Sequence, residues 1–414
     1  MRLRHQPIVV WPYASEDSFF PANDPAGCII SESAPQYRPR HPEQTEFYQL
    51  FENHFDSYVR CYEERFAPRS GPLRPVVVRS VEEFLSCGRL QGGFARLRCP
   101  KCRAEHLLAF SCRTRNFCAS CQAKRAVLFA EKLTGEILAP VPHRHWTFST
   151  PCVLRGLFER DRKLLGLLSQ TAYAAILKTF QALFERTDVR PGCVISLQTF
   201  GAYANWNPHA HALISDGVFS PEGEFLPLPS LDTSAVMQLF RRLLLKGLNQ
   251  AERLSEDFMR NLLSWVHPGF SVFAGPPVQH PACPLEASQP QSLQSQARYI
   301  TRPALSMDAL KKQPDGTLTL QTPPDPRTGA TSITLDPLEW IHRITAHIPE
   351  PGQHTRRSYG AYSNRCRASV SSRLAQDFAR STAHSATDDE DSEFTRETRR
   401  TWARLLRKIF EVDP

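Results

Sequence analysis

Apolar residues recur at intervals of three and four along 43–66, at Phe47, Leu50, Phe51, Phe55, Tyr58, Val59, Tyr62 and Phe66. That period lines one face of an amphipathic helix, and Pro68-Arg69-Ser70-Gly71-Pro72 stops it. A short helix is expected at 81–85. At 143–149 the pattern switches to alternation, with Trp146 and Phe148 on one side of a strand. A long helical stretch follows at 154–186 and ends at Asp188-Val189-Arg190-Pro191-Gly192. Residues 193–202 and 209–215 read as two strands of a hairpin around a turn at 204–208. Helices are expected at 234–248, 256–266, 291–300 and 338–348, and strands at 317–321 and 332–335. Residues 276–291 hold five prolines and read as a loop. The first 42 residues, polar and without a period, read as a poorly ordered leader. An acidic loop at 388–393 and a helix at 394–410 close the chain. Helices and antiparallel strands in this order predict an α+β fold.

Composition sharpens this picture in two places. The formal net charge is +8, and the segment from Cys87 to Lys132 carries ten Lys or Arg against Glu105 and Glu131. A basic field so concentrated fits a polyanionic partner, with nucleic acid first. No apolar run approaches the ~20 residues of a membrane span, and no secretory signal is evident, so a cytoplasmic protein is expected. Twelve cysteines in such a chain point to metal rather than disulfides.

Cys99-Pro-Lys-Cys102 and Cys118-Ala-Ser-Cys121 are two C-x2-C pairs with the spacing of a four-thiolate zinc site. Cys112 and His106 lie between them as spare ligands, while Cys87 reads as a small core residue. A closed site of this kind is architectural, which leaves phosphate binding to Arg113, Arg115, Lys124 and Arg125.

The richest local signal is Asn207-Pro208-His209-Ala210-His211. On a strand, side chains at i and i+2 share a face, so both imidazoles reach one cation while Ala210, Ala212 and Ile214 face a core. Gln198 on the neighbouring strand is a candidate third ligand. A phosphate and water would complete the shell of Mg2+ or Mn2+. Such a cation polarises a phosphodiester, which then needs a nucleophile. Tyr299, between Arg298 and Arg302, is the candidate; Tyr359 and Tyr362 are rivals. Trp206, beside the histidines, is a candidate platform for an unpaired base.

These motifs occur in a telling order. The cysteine module (Cys99 to Cys121) precedes Gln198-Thr199-Phe200-Gly201, then Asn207-Pro208-His209-Ala210-His211 and Asp216-Gly217-Val218-Phe219. Gly269-Phe270-Ser271-Val272, Arg298-Tyr299-Ile300-Thr301-Arg302-Pro303, Asp336-Pro337-Leu338-Glu339 and Arg357-Ser358-Tyr359-Gly360 follow, and Trp402-Ala403-Arg404-Leu405-Leu406 comes last. The ordered set resembles the HUH-endonuclease transposases of rolling-circle insertion sequences, over about residues 45–414. The resemblance implies an HUH-type antiparallel sheet flanked by helices, preceded by a small helical and zinc-binding module. It implies that His209 and His211 bind metal and that Tyr299 cuts single-stranded DNA at transposon ends, retaining a 5′-phosphotyrosine before transfer to target DNA. Ser295 and Pro303 stand where two-tyrosine relatives carry a partner tyrosine, so a single-tyrosine enzyme is expected. The domains expected are a leader at 1–42, a helix and zinc module at 43–135, a nuclease domain at 140–370 and a tail at 371–414. Two other readings stay open: a metal-dependent hydrolase built on the H-x-H strand, and a non-catalytic zinc-dependent nucleic-acid binding protein descended from a transposase.

Overall fold

The computed structural model describes residues 42–98, 103, 105–229, 232–266, 269–279, 292–322, 324 and 329–367. The expected leader, the acidic loop and terminal helix, and Cys99 and Cys102 lie outside these residues. The described chain opens with helices α1 (Glu46–Arg65), α2 (Ala67–Ser70) and α3 (Pro75–Leu85), then the hairpin β1 (Phe94–Arg98) and β2 (Glu105–Ala109), and helix α4 (Ala119–Lys132). Strand β3 (His143–Ser149), helices α5 (Cys152–Arg160) and α6 (Leu164–Leu183), and the pair β4 (Gly192–Phe200) and β5 (Trp206–Ser215) follow. After them come β6 (Gly217–Phe219), β7 (Phe225–Pro227), α7 (Thr233–Gln250), α8 (Glu256–Ser264), β8 (Ser271–Val278) and α9 (Leu293–Tyr299). The small strands β9 (Leu310–Lys312), β10 (Leu318–Gln321) and β11 (Ser332–Leu335), helix α10 (Pro337–Thr345) and strand β12 (Arg356–Gly360) complete it. The mixture of helices and antiparallel sheet is the α+β class that the sequence predicts.

The central sheet runs β12-β4-β5-β3-β8, and every neighbouring pair is antiparallel. Both edge strands escape the sequence reading. Pro276 and Pro277 argue for a loop, yet β8 pairs on one side only, where a missing amide hydrogen is tolerated. The expected turn at 204–208 is too late. Strand β5 starts at Trp206, and the reversal is made by residues 202–204, with Tyr203 and Ala204 at φ +58° and +50°. A left-handed backbone costs ~1–3 kcal/mol at residues with a Cβ. Helix α10 and the residues after it oppose that cost, because Arg343 and His347 donate to the carbonyls of Tyr203 and Ala204. The long helix expected at 154–186 breaks at Asp161-Arg162-Lys163 into α5 and α6.

The back of the sheet presents Trp146, Phe148, Ile195, Leu197, Ala210, Ala212 and Ile214 to α5, α6 and α7 in one apolar core. A second core joins Phe47, Phe51, Phe55 and Tyr58 of α1 to Leu318 and Leu320 of β10 and to Trp340, Ile341 and Ile344 of α10. The N-terminal helices are therefore packed against residues some 300 positions later in the chain. A third cluster, under the front of the sheet, joins Ala130 of α4, Val194 of β4, Leu213 of β5 and Leu293 and Ala297 of α9. No helix among the described residues is long and apolar enough to cross a membrane.

Two buried histidines tie this packing to pH. His342 stacks on Phe66 and bonds Tyr58 and Ser70, and His347 bonds Thr199 and Ala204. Burial holds both imidazoles at about 4. As pH falls below about 6.5 the unfolded chain takes up protons that the folded chain refuses. This stability is complete above that pH and is lost as pH falls towards 4, by up to about 1.4 kcal/mol per pH unit for each histidine. Urea unfolding across this range should show the decline, and His347→Gln should flatten it. A profile that His347→Gln leaves unchanged would refute the assignment.

Candidate active site

Strand β5 lies between β4 and β3, and residues directly opposite in an antiparallel pair point the same way. His209 is thus flanked by Gln198 and Ser149, and His211 by Ser196 and Thr147. This polar row forms the front of the sheet, opposite the apolar face buried on α6 and α7. Both imidazoles are buried, at 8% and 5% exposure, and burial holds both below the usual histidine range. They are neutral bases, the form that binds metal.

The tautomers follow from the partners. His209 Nδ1 lies 2.7 Å from the Asn207 carbonyl, which can only accept, so the proton is there and Nε2 carries a bare lone pair. His211 Nδ1 lies 2.9 Å from His145 Nε2 and 3.2 Å from the Thr147 hydroxyl, either of which can accept its proton. The two Nε2 atoms are 3.1 Å apart. Adjacent ligands on an octahedral cation with bonds of 2.0–2.1 Å stand about 3 Å apart, so the pair fits one divalent ion. Gln198 supplies the third feature. Its Nε2 donates to the Tyr299 carbonyl at 3.3 Å, while its Oε1 is buried with no hydrogen-bond partner. A buried acceptor without a donor is costly, and a cation would satisfy it.

Tyr299 ends α9, which crosses the front of the sheet. Ser292 caps the start of this helix. Its end is held by three side chains, as Gln198, Ser196 and Gln122 donate to the carbonyls of Tyr299, Ile300 and Thr301 in succession. The Tyr299 ring centroid is 5.6 Å from that of His211 and 6.0 Å from that of His145, and 44% of the residue is exposed. Arg302 covers the ring at 4.4 Å. The rival tyrosines are occupied elsewhere. Tyr362 is buried against His143, and Tyr359 stacks on Tyr173 and bonds Ser169.

Trp206 is a correction to the sequence reading. Its indole stacks on His347, lies under Arg162 and donates to the Arg155 carbonyl, so the ring is committed to packing and not to an unpaired base. His145 is the residue that the reading missed. The alternation at 143–149 already placed it on the face opposite Trp146, which is the face of the H-x-H pair once β3 adjoins β5. Among the expected DNA-contacting residues, Arg113 and Lys124 are exposed, Arg115 and Arg125 line a cleft with Arg302, and the buried Arg298 Nε has no partner.

Among the described residues, four cysteines gather into one cluster. The sulfurs of Cys87, Cys112, Cys118 and Cys121 all lie within 4.8 Å of one another. Measured separations are 3.9 Å for Cys87–Cys118 and 3.7 Å for Cys87–Cys121 and Cys112–Cys121. A zinc–sulfur bond of 2.3 Å gives tetrahedral edges of roughly 3.8 Å, so the set fits zinc. Cys118 and Cys121 are two of the four expected ligands. Among the described residues, Cys87, read as core, and Cys112, read as a spare, stand with them; the expected ligands Cys99 and Cys102 lie outside the described residues. The chain reverses at the β1–β2 hairpin and returns Cys112 to Cys87, whose sulfur accepts the Cys112 amide at 3.3 Å. Hydrogen bonds from Cys112, Cys118 and Cys87 pull the Cys121 thiol far down, while those with Cys112, Cys121 and Cys87 push Cys118 up.

Residues 51–150 match a family model described as a transposase zinc-binding domain, and residues 192–370 match one described as a putative transposase. A putative transposase, y4qJ, of Sinorhizobium fredii is 28% identical over 294 residues, which is 65% of this chain and 70% of that protein. Among solved structures, the non-structural protein 1 N-terminal origin-recognition/nickase domain from human bocavirus aligns at 12% identity and a TM-score of 0.22. That alignment covers 52% of this chain and all of the other. The zinc-binding match and the four-sulfur cluster together support a structural zinc.

Cys87→Ala tests the ligand set. Metal analysis should show loss of the zinc that the native chain retains through dialysis against a mild chelator. Limited proteolysis should then cut between residues 87 and 121, because zinc supplies folding energy on the order of 10 kcal/mol in such sites. Full zinc retention in Cys87→Ala would remove this residue from the set.

Proposed function

Because this chain belongs to the transposase family whose zinc-binding and putative transposase regions it matches, we propose that it cuts and rejoins single-stranded DNA through Tyr299. The carrying observation is the tyrosine ring 5.6 Å from His211, on a helix end locked to the histidine sheet. His209, His211 and Gln198 hold a divalent cation, Mg2+ or Mn2+. When bound, that ion draws charge from a non-bridging phosphate oxygen and makes the phosphorus a better electrophile.

The chain's own residues do the rest. The Tyr299 oxygen attacks the phosphorus and forms a P–O bond as its proton passes to solvent. The bond to the 3′ oxygen breaks, that oxygen takes up a proton, and the 5′ phosphate stays on the tyrosine. A 3′-hydroxyl of the target strand then reverses the exchange, releasing the phenol. One phosphodiester replaces another at each step, so no external energy source is needed. Arg302, over the tyrosine ring, sits where it balances phosphate charge. His145 and Asn207 keep the two metal-facing nitrogens aimed by occupying the opposite side of each imidazole. Transposon ends and target DNA are the partners of this reading.

The test is a covalent adduct. Incubated with single-stranded DNA from the flanks of its own gene and Mn2+, the protein should yield a protein–DNA band that survives denaturation. Tyr299→Phe should reduce it by at least about a thousandfold, as should His209→Ala with His211→Ala. Undiminished cleavage by Tyr299→Phe would overturn the mechanism in favour of metal-dependent hydrolysis by water.

A further inference from the structure

Beside Tyr299 lies a small cleft whose walls come from two distant parts of the chain. Arg115, Gln122 and Arg125 come from the cysteine module, and Gln198, Arg302 and Arg356 from the histidine sheet and its flanks. None of the lining residues is acidic. Four guanidinium groups converge there, and the partners that hold them are neutral. Arg115 donates to the carbonyls of Gln353 and Glu350 at 2.6 and 2.8 Å, and Arg125 to that of Arg113 at 2.7 Å. Arg356 lies over the Phe129 ring at 4.3 Å, and Arg302 over Tyr299. Carbonyls and rings fix a guanidinium in place without cancelling its charge. The crowding is felt electrostatically: burial, then Arg125 and Arg115, bring Arg356 down to about 10. Bringing like charges together around an open space costs free energy, and a bound anion offsets it.

We propose that this cleft binds a backbone phosphate of single-stranded DNA next to the phosphate that Tyr299 attacks, so that the cysteine module forms one wall of the active site. Two arms fix the geometry. Arg302 touches both the tyrosine and the cleft, and Gln122 of α4 holds the Thr301 carbonyl at 2.7 Å, joining the zinc-bearing segment to the helix that carries the nucleophile. A strand threaded past Tyr299 meets Arg115, Arg125 and Arg356 at its neighbouring phosphate, where bidentate guanidinium contacts set its direction. The adjacency to the attacked phosphate rests on the tyrosine mechanism above; the phosphate site itself does not.

The experiment separates the two. Binding of a mixed-sequence single-stranded oligonucleotide to the full chain is measured in EDTA across a salt series. Arg356→Gln and Arg125→Gln should each weaken binding about tenfold and reduce the salt slope by about 0.7, the value for one phosphate contact on a single strand. Zinc content and urea midpoint certify folding. Should Arg356→Gln fail that check, Arg125→Gln, on a partly exposed position, decides alone. An oligonucleotide with a neutral methylphosphonate next to the cleavage position should lose affinity for the native chain but not for the variants. Inorganic phosphate at equal concentration should displace little oligonucleotide if the backbone is the ligand, and displacement at parity would assign the cleft to free phosphate and overturn the proposal. Unchanged slope and affinity in a folded Arg125→Gln would also overturn it, even if the Tyr299 adduct forms normally. A reduced slope with no adduct would leave the cleft standing and sink only the tyrosine chemistry.

Discussion

Three consecutive carbonyls at the end of α9 are captured by side chains that belong to other elements: Tyr299 by Gln198, Ile300 by Ser196, and Thr301 by Gln122. A helix of seven residues has no intrinsic stability to speak of, and its last carbonyls have no partners within it. These bonds therefore do more than cap it. They decide where the phenol sits relative to β5, and two of them come from the same strand face that presents the histidines. The site is assembled by pairing register: once β4 lies against β5 with Gln198 opposite His209, the amide can hold the tyrosine's backbone and aim its own oxygen at the imidazoles.

A comparable economy governs the region after α10. The carbonyls of residues 345–353 accept from Arg74 of the N-terminal helices, Arg115 of the cysteine module and Arg162 from the break between α5 and α6. Burial brings Arg162 down to about 9, yet its guanidinium is committed to the carbonyls of Ala346 and Ile348 and to the face of Trp206. One stretch of backbone thus receives donors from three parts of the sequence. The turn in front of β5 is clamped from the same place, through Arg343 and His347. What reads in sequence as a peripheral helix is the element against which the histidine hairpin is braced.

The histidine strand, its hairpin partner and β3 were legible because alternation over a half-buried surface is a strong local signal. The tyrosine helix was legible from its length and its flanking arginines. The two edge strands were not, since β8 carries Pro276 and Pro277 and β12 is five residues rich in arginine and tyrosine; only the sheet gives them a reason to be extended. The cysteines show the same limit. Paired C-x2-C spacing is a local pattern, whereas the Cys87–Cys112 pairing depends on a hairpin that brings together sulfurs twenty-five residues apart. Trp206 misled because an exposed-looking aromatic beside a turn gives no hint of His347, which arrives from far down the chain. His145 was visible in the alternation, but its meaning waited on knowing which strand lay beside it.

The interleaving of the second core has a consequence for biosynthesis. Phe47, Phe51, Phe55 and Tyr58 leave the ribosome well before Leu318, Leu320 and Trp340, which cover them. Until those residues are made, α1 carries an uncovered aromatic stripe, the kind of surface on which nascent chains aggregate or recruit chaperones. A ribosome that stalls before codon 340 would release a product unable to bury that stripe.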